Sequence, residues 1–191
     1  MGDLFEIGRD PYVLKENLSA DSFGDYVLAM RTFTNDGYVD FSKPYWITND
    51  SGTDEPIYLE YGQFAIVVAD MDSTLPKIGK VVLNANKRRL RLGRHVRKIK
   101  VNPNYNPFFV YGVLRLDEMN QKLKLEANGS IAKVLSDKDV YKQKSEIPVT
   151  IKEQNEIGQL LVTVEKRIAS NQQKLDQLKE MKKWFMQNMF V

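Results

Sequence analysis

The pattern of hydrophobic and polar positions divides the chain into a long mixed region and one C-terminal helix. From Thr150 onward, apolar residues recur alternately every four and three residues, which is the 3.5-residue period of a coiled coil. Thr150 and Glu153 have the spacing of a capping box, and Pro148 ends the extended segment before them. Ten positions form the predicted seam, and eight of them are apolar: Ile157, Leu161, Val164, Ile168, Asn171, Leu175, Leu178, Lys182, Phe185 and Met189.

The predicted helix is too long to be covered by the rest of a chain of this size. At about 1.5 Å per residue it extends roughly 60 Å, so its apolar stripe needs a partner. Asn171 inside the seam favours pairing with another helix in a defined register, because a buried amide prefers a facing amide. Lys182 can extend its ammonium group to solvent. The alternative is a helix that folds back on its own domain.

The region before the helix has the shorter period of β-strands, with few helices between them. The run 64–69 is apolar at every position, which predicts a strand covered on both faces. Residues 108–114 are predicted to begin a helix packed on the sheet, and 116–125 to be helical or mixed. The prediction is an α+β chain, with a mixed, mainly β domain (1–147) followed by one long coiled-coil helix (148–191). Further strands are predicted at 25–31, 38–41, 57–59, 81–83 and in pieces between 90 and 101.

Composition limits the chemistry that the chain can carry. Its 191 residues are 42% hydrophobic, enough for one ordinary domain plus the helix. There is no cysteine and a single histidine, His95, which excludes disulfides, thiolate chemistry and a conventional zinc site. The N-terminus lacks the form of a signal peptide and no apolar run is long enough to cross a membrane. We therefore expect a cytoplasmic protein without a membrane partner.

The positive charge of the chain is concentrated in one segment. Residues 77–100 contain ten lysines and arginines and no acidic residue, whereas the rest of the chain has 18 basic and 25 acidic residues. Binding of a polyanion is the simplest use of such a segment, which favours nucleic acid as a partner. The alternative is a pair of solvated strands whose charges prevent aggregation through their edges.

The sequence contains no recognisable catalytic constellation. It lacks a glycine-rich phosphate loop and a nucleophile elbow. Asp70 and Asp72 could form a metal-binding pair, but alternate residues at a strand end point to opposite faces. Residues 106–109 partly resemble the base-holding motif of amino-methyltransferases, but the second proline is missing, so we interpret them as a turn before a packed aromatic segment. We predict no catalytic residue and no metal site.

Several motifs resemble the DNA-specificity subunit of type I restriction–modification systems. The most specific is an extended proline segment, 147–149, that leads into Glu153-Gln154-x-x-Ile157 and the heptad helix as far as 189–190. Weaker similarities to the target-recognition domain of that family occur at 5–7, 37–44, 62–66, 78–80 and 128–130. The resemblance covers essentially the whole chain.

The resemblance implies a half-length subunit with one target-recognition domain and one spacer helix. Subunits of that family carry two of each, with the helices antiparallel, so two copies of this chain are expected to form a homodimer and read an interrupted palindrome. The resemblance also implies docking to methyltransferase (modification) and restriction/translocase subunits. S-adenosylmethionine, ATP and magnesium would be bound by those partners, so no cofactor is expected on this chain.

In this interpretation the chain is a non-catalytic subunit that binds double-stranded DNA. Basic residues would contact phosphates, while arginine and asparagine side chains on loops would read bases in the major groove. The alternative function is a coiled-coil scaffold whose basic segment binds an acidic protein or a membrane surface. The candidate DNA-binding residues are Arg31, Asn35, Lys43, Lys77, Lys80, Asn84, Asn86, Lys87, Arg88, Arg89, Arg91 and Arg94.

Overall fold

The structure is a computed structural model that describes residues 1–20, 23–43, 45–48, 55–147 and 150–189. It confirms the α+β prediction, with a mainly β region followed by one long helix. The strands are β1 (Phe5–Ile7), β2 (Leu18–Ser19), β3 (Asp25–Leu28), β4 (Trp46–Ile47), β5 (Tyr58–Leu59), β6 (Phe64–Val67), β7 (Ala69–Asp70), β8 (Val81–Leu83), β9 (Leu90–Leu92), β10 (Val96–Val101) and β11 (Lys133–Val134). The helices are α1 (Pro107–Arg115), α2 (Asp117–Glu126), α3 (Asp137–Tyr141) and α4 (Ile151–Asn188).

An inner antiparallel sheet has the strand order β1-β10-β6-β8. Its central strand β6 is buried at all four positions, as its unbroken apolar run predicts. Alternate residues point to opposite faces of a strand, so Phe64 and Ile66 pack with α1 and α2, while Ala65 and Val67 face the other way. The inner sheet therefore contributes to two hydrophobic clusters, one on each face.

An outer sheet with the order β2-β4-β3-β9-β5 covers the second face of the inner sheet. Tyr26, Leu28 and Leu92 of the outer sheet join Ala65 and Val67 in one buried cluster. Within the outer sheet β3 and β9 are parallel neighbours, while β4 and β5 pair antiparallel to them. The domain thus has three layers, with helices on one side, the inner sheet in the middle and the outer sheet on the other side.

Two predicted strands are shorter than expected or replaced by turns. The strand predicted at 25–31 ends at Leu28, because the Thr32 hydroxyl accepts a hydrogen bond from the Ala29 amide at 3.0 Å and a 3-10 turn, Met30–Thr32, follows. Of the strand predicted at 38–41, only an isolated bridge between Phe33 and Val39 forms. Pro44, Pro148 and the loop residues 49–54 lie outside the described part of the chain.

Helix α1 begins as the turn interpretation of residues 106–109 predicts. The Asn106 side chain caps it by accepting hydrogen bonds from the amides of Phe108 and Phe109 at 2.9 and 3.0 Å, with Pro107 in the first turn. Phe109 and Val110 are buried against the inner sheet. These residues are therefore structural.

Helix α4 is joined to the domain through its first turns. Its start is capped by the Thr150 hydroxyl, which accepts from the Glu153 amide at 3.3 Å. Gly158 lies so close to Asn106 that an added Cβ would be well under 3.0 Å from its Oδ1, and Gly112 of α1 is equally close to the Leu161 side chain. These two close approaches and the polar contacts around them form what we call the helix joint.

Beyond the helix joint, α4 touches the domain through Glu165 and Lys166, and its residues as far as Lys179 line an open cleft that Thr34 and Phe41 also line. Val162 is buried, but no later side chain of α4 that the structure describes is buried. The helix has 38 residues, a length of about 57 Å. The structure therefore agrees with a projecting helix rather than with one folded back along its own domain.

Candidate nucleic-acid interface

The loop between β8 and β9 presents the most exposed part of the basic segment. Asn86, Lys87, Arg88 and Arg89 are all exposed there. Asn84, at the start of the loop, is fully buried, and its side chain donates to the backbone oxygens of Leu59 and Arg88 at 2.8 and 3.0 Å. Its Oδ1 accepts from the Asn86 amide at 3.0 Å. We therefore correct its assignment, because Asn84 shapes the loop and is not available to contact DNA.

Two arginines of this loop are stacked on aromatic rings of the outer sheet. The Arg88 guanidinium lies 5.0 Å from the Trp46 ring centroid, and that of Arg89 lies 4.0 Å from the Tyr58 centroid. Arg89 Nε is also 3.7 Å from Asp25, which accepts a 2.6 Å hydrogen bond from the Tyr58 hydroxyl. Stacking covers one face of a guanidinium and leaves the N–H edge for a phosphate or a guanine. Burial, with the hydrogen bond to Asp25, raises the pKa of Tyr58.

A second pair of stacked arginines lies where β3 and β9 end. The Arg31 guanidinium lies 4.9 Å from the Tyr45 ring centroid, and that of Arg94 lies 5.7 Å from the Tyr12 centroid. Both arginines are exposed. Because β3 and β9 are parallel neighbours, the residues that follow them come to the same edge of the outer sheet. The two arginines border a groove of about 560 Å³ whose lining includes Val27.

Other residues of the basic segment have structural contacts. Arg91 in β9 is only 2% exposed, since it lies in a central strand opposite Val27 and Tyr58. It is buried within the sheet, so its assignment to DNA binding is wrong. The Lys77 ammonium donates to the Met30 backbone oxygen at 2.9 Å, which holds it against the domain.

Arg97 and Lys80 are also partly buried. Arg97 forms a two-pronged ion pair with Asp137, with a 2.9 Å contact between Nη2 and Oδ2, and this pair links β10 to α3. Lys80 is half-buried beside a small cleft that Asp36 also lines. The charge run is thus divided between exposed arginines and structural cations.

The loop before β4 supplies two further predicted contacts, Asn35 and Lys43. Asn35 is exposed in the turn of residues 34–38. Lys43 is half-buried and forms an ion pair with Asp40 at 3.3 Å. The Tyr26 hydroxyl donates to the backbone oxygens of Asp40 and Lys43 at 2.8 and 2.9 Å, and burial raises the pKa of Tyr26 to about 12. The core therefore holds the end of this loop that carries Lys43.

The predicted helix seam remains largely uncovered. Seven of its residues have side chains 36–67% exposed: Ile157, Val164, Ile168, Leu175, Leu178, Phe185 and Met189. Asn171 and Lys182 are also exposed. Leu161 is the exception, since it packs on Gly112 of its own domain, so we correct its assignment from the dimer seam to the helix joint. In a helix with 100° per residue, the seam lies about 90° around α4 from the face that meets the domain.

The carboxylates considered for catalysis have structural hydrogen bonds. Asp70 is buried and accepts from the amides of Asp72 and Lys77 at 3.1 and 2.9 Å. Asp72 accepts from the Thr74 amide at 2.8 Å. Among the residues that the structure describes, no three potential ligands are grouped as a metal site would need. Across the same ranges, no helix has both the length and the apolar content to span a membrane.

Three solved structures share the fold of this chain. The S subunit of a type I restriction–modification system from M. genitalium has a TM-score of 0.65 and 16% identity, covering 98% of this chain and 43% of that one. A structure on complex assembly and conformational transition of the type I R-M system has a TM-score of 0.55 and 16% identity, covering 94% of this chain and 42% of that one. The HsdS subunit from Thermoanaerobacter tengcongensis has a TM-score of 0.52 and 14% identity, covering 88% of this chain and 37% of that one.

This chain spans less than half the length of those solved chains. At such identities the likeness shows a shared fold. A comparison with curated protein sequences finds no significant match. The sequence itself matches the family described as Type I restriction modification DNA specificity domain over residues 1–180, nearly its whole length. The chain therefore belongs to the type I restriction–modification DNA specificity family, whose members are recognition components and not enzymes.

Proposed function

We propose that this chain reads one half of an interrupted DNA target for a type I restriction–modification enzyme. The observation that carries the proposal is the set of four exposed arginines stacked on aromatic rings, two of which belong to strands of the outer sheet: Arg31, Arg88, Arg89 and Arg94. A stack at an exposed site is worth only about 0.5–1 kcal/mol, so a phosphate or a base can engage the guanidinium without a large penalty. The stacks also reduce the rotamer freedom that binding would otherwise have to remove.

Affinity and selectivity would come from different side chains of this surface. Arginine and lysine contacts to phosphates position the duplex, and they make affinity fall as salt rises. Asn35 and Asn86 are exposed on two loops, and asparagine can read adenine through two hydrogen bonds. Arg88 and Arg89 can read guanine in the same way, at about 1–3 kcal/mol of discrimination per base. The loops thus read bases while the surrounding cations hold the backbone.

A homodimer through the uncovered seam would provide the second reader. Two antiparallel copies of α4 would place the dyad near the middle of the seam, between Asn171 and Leu175. The helix joint at Leu161 lies about 12 residues, or roughly 18 Å, from that point. The two domains would then be about 36 Å apart along the helices, close to one turn of B-DNA. Both would face the same side of the duplex and read a palindrome.

Catalysis would be carried out by other subunits of the assembly. We propose that the domain and α4 dock methyltransferase and restriction/translocase subunits, which would bind S-adenosylmethionine, ATP and magnesium. The membership of a specificity family, which is described by DNA specificity and not by a catalytic activity, supports this division. On this proposal the chain contributes the choice of sequence and the spacing between the half-sites.

The test of the DNA-binding surface is the salt dependence of binding to mixed-sequence duplex DNA. The double variant Arg88→Ala, Arg89→Ala removes two stacked cations from the loop between β8 and β9. If both contact phosphates, the slope of log K against log salt should become less steep by up to about 2. The control variant Lys138→Ala, Lys144→Ala removes the same charge from exposed positions on and after α3. Equal effects of the two double variants would contradict a localised surface.

A further inference from the structure

The turn that carries Asn35 is held by one arginine of α1. Nη2 of Arg115 donates to the Asp36 backbone oxygen at 3.1 Å, and Nη1 is 3.4 Å from the oxygen of Gly37. The guanidinium also lies 4.7 Å from the Tyr38 ring centroid. Three consecutive residues of the turn are thus in contact with a single side chain, which itself is mostly buried.

The local backbone is shaped to receive that side chain. Gly37 has a φ of +82°, and a Cβ there would be 3.1 Å from the Val81 oxygen and 3.4 Å from Arg115 Nη1. Inside the turn, the Thr34 amide donates to the Tyr38 oxygen at 2.9 Å and the Gly37 amide donates to the Thr34 oxygen at 3.1 Å. A side chain at position 37 would therefore separate the turn from Arg115.

The same arginine is connected to the projecting helix. Its Nε is 3.6 Å from Glu165 of α4, and its Nη1 is 3.1 Å from the Tyr111 hydroxyl. That hydroxyl donates in turn to Glu165 at 3.1 Å. Burial raises the pKa of Tyr111, so its phenol stays protonated and can accept from one partner while donating to the other. The Glu165 side chain is only 12% exposed, so water screens this contact weakly.

We propose that Arg115 is a positioning residue that ties the Asn35 turn to α4 through Glu165. The consequence rests on the proposed function: if α4 pairs with a second copy, Arg115 fixes the distance from the dyad to a base-reading turn. The spacing between half-sites would then depend on this cluster as well as on helix length. Arg115 touches neither DNA nor the second copy in this scheme.

The experiment uses the full-length chain with Arg115→Lys, which keeps the charge but cannot reach the turn and Glu165 together. The first measurement is amide hydrogen exchange without DNA. Exchange at the Thr34 and Gly37 amides should become at least about tenfold faster, as expected when hydrogen bonds from a charged group are lost. The control is Arg167→Lys, the same substitution at an exposed position of α4. Equal exchange in variant and wild type would overturn the proposal.

The second measurement is the affinity for duplexes that differ only in the gap between half-sites. The Arg115→Lys chain should keep the preferred half-site bases, while the ratio of affinities for the best gap and for a gap one base pair longer falls about tenfold. A purely structural role would weaken binding to all duplexes equally, which would overturn the proposal. If wild type prefers no interrupted site, the proposed function fails, but hydrogen exchange still tests the hold on the turn. If Arg115→Lys does not fold, Glu165→Gln, which removes the ion pair with α4 and leaves the contacts of Arg115 with the turn, is tested in the second measurement, and an unchanged ratio of affinities would overturn the proposal.

Discussion

Substitution of Gly158 by alanine should destabilise the protein, although glycine to alanine inside a helix ordinarily stabilises it. Gly158 lies in the interior of α4, where alanine would be favoured by up to about 1 kcal/mol. A Cβ at this position would be well under 3.0 Å from Asn106 Oδ1 and 3.2 Å from the Phe109 amide nitrogen. That Oδ1 is fixed by the two hydrogen bonds that cap α1, so it cannot move without losing them.

The expected cost exceeds the gain in helix propensity. Loss of an N-cap costs about 1 kcal/mol, and forcing extra volume into a packed contact costs about 1–3 kcal/mol. The 2.7 Å hydrogen bond between the side chains of Asn106 and Asn155 would be strained as well. After the gain of about 1 kcal/mol, the net loss should be about 2 kcal/mol. For a chain of 191 residues this corresponds to a melting temperature lower by about 4–8 °C.

The matched control is Gly112→Ala, on the other side of the helix joint. Its Cβ would meet only Cδ1 of Leu161 at less than 3.0 Å, and that methyl group is the end of a flexible side chain. Rotation of Leu161 can relieve the contact, so this variant should lie within about 1 kcal/mol of wild type. Thermal and urea unfolding measure both. A Gly158→Ala chain as stable as wild type would refute the close approach of α4 to the cap of α1.

Two further predictions concern the seam and the core. Leu175→Glu should convert a dimer into a folded monomer, measured by sedimentation at micromolar concentration. Gln177→Glu makes the same charge change on the opposite side of α4 and should leave the dimer intact. A Leu175→Glu chain that remains dimeric would show that the seam is not the dimer interface. Because the folded-state pKa of Tyr26 is raised to about 12, its contribution to stability is complete below pH 10 and is lost between pH 10 and about 12. The Tyr26→Phe chain should unfold at a lower urea concentration than wild type at pH 8, and it should not show the loss of stability that Tyr26 causes between pH 10 and about 12. A pH profile of stability identical to that of wild type would contradict this prediction.

The features predicted from the sequence are those with a strong local period. The 3.5-residue spacing predicts α4 and its exposed apolar stripe, and the spacing of Thr150 and Glu153 predicts its cap. The unbroken apolar run predicts that strand β6 is covered on both faces. The concentration of charge also places the exposed loop of Arg88 and Arg89 within the predicted segment. These properties depend on neighbours in sequence, so the sequence alone contains them.

The errors arise where burial depends on distant residues. Arg89 and Arg91 are alike in sequence, but Arg91 lies in a strand with neighbours on both sides, whereas Arg89 lies in the loop before that strand. Asn84 is buried because Leu59, 25 residues away, offers it a backbone oxygen. Leu161 fits the heptad but meets Gly112 of another helix. Local patterns do not contain these contacts.

The sequence pattern did not reveal some functional residues for the same reason, because they depend on contacts between distant positions. Arg115 and Glu165 are 50 positions apart in the numbering and come together only through the packing of α1 on α4. Trp46 and Tyr58, which hold the arginine stacks, are separated from their arginines by more than 30 positions. A run of basic residues predicts a polyanion-binding segment. Which of its arginines stack on aromatic rings can be known only from the fold.

The most direct test of the central claim is a binding selection on randomised DNA duplexes at about 0.15 M salt, where nonspecific phosphate binding is weak. The selection is run with the purified chain alone and with a type I methyltransferase subunit. A dimer that reads one half-site with each domain should select an interrupted palindrome whose half-sites are centred about one helical turn apart. Recovery of no motif in either condition, or of a single uninterrupted site, would contradict recognition by such a dimer.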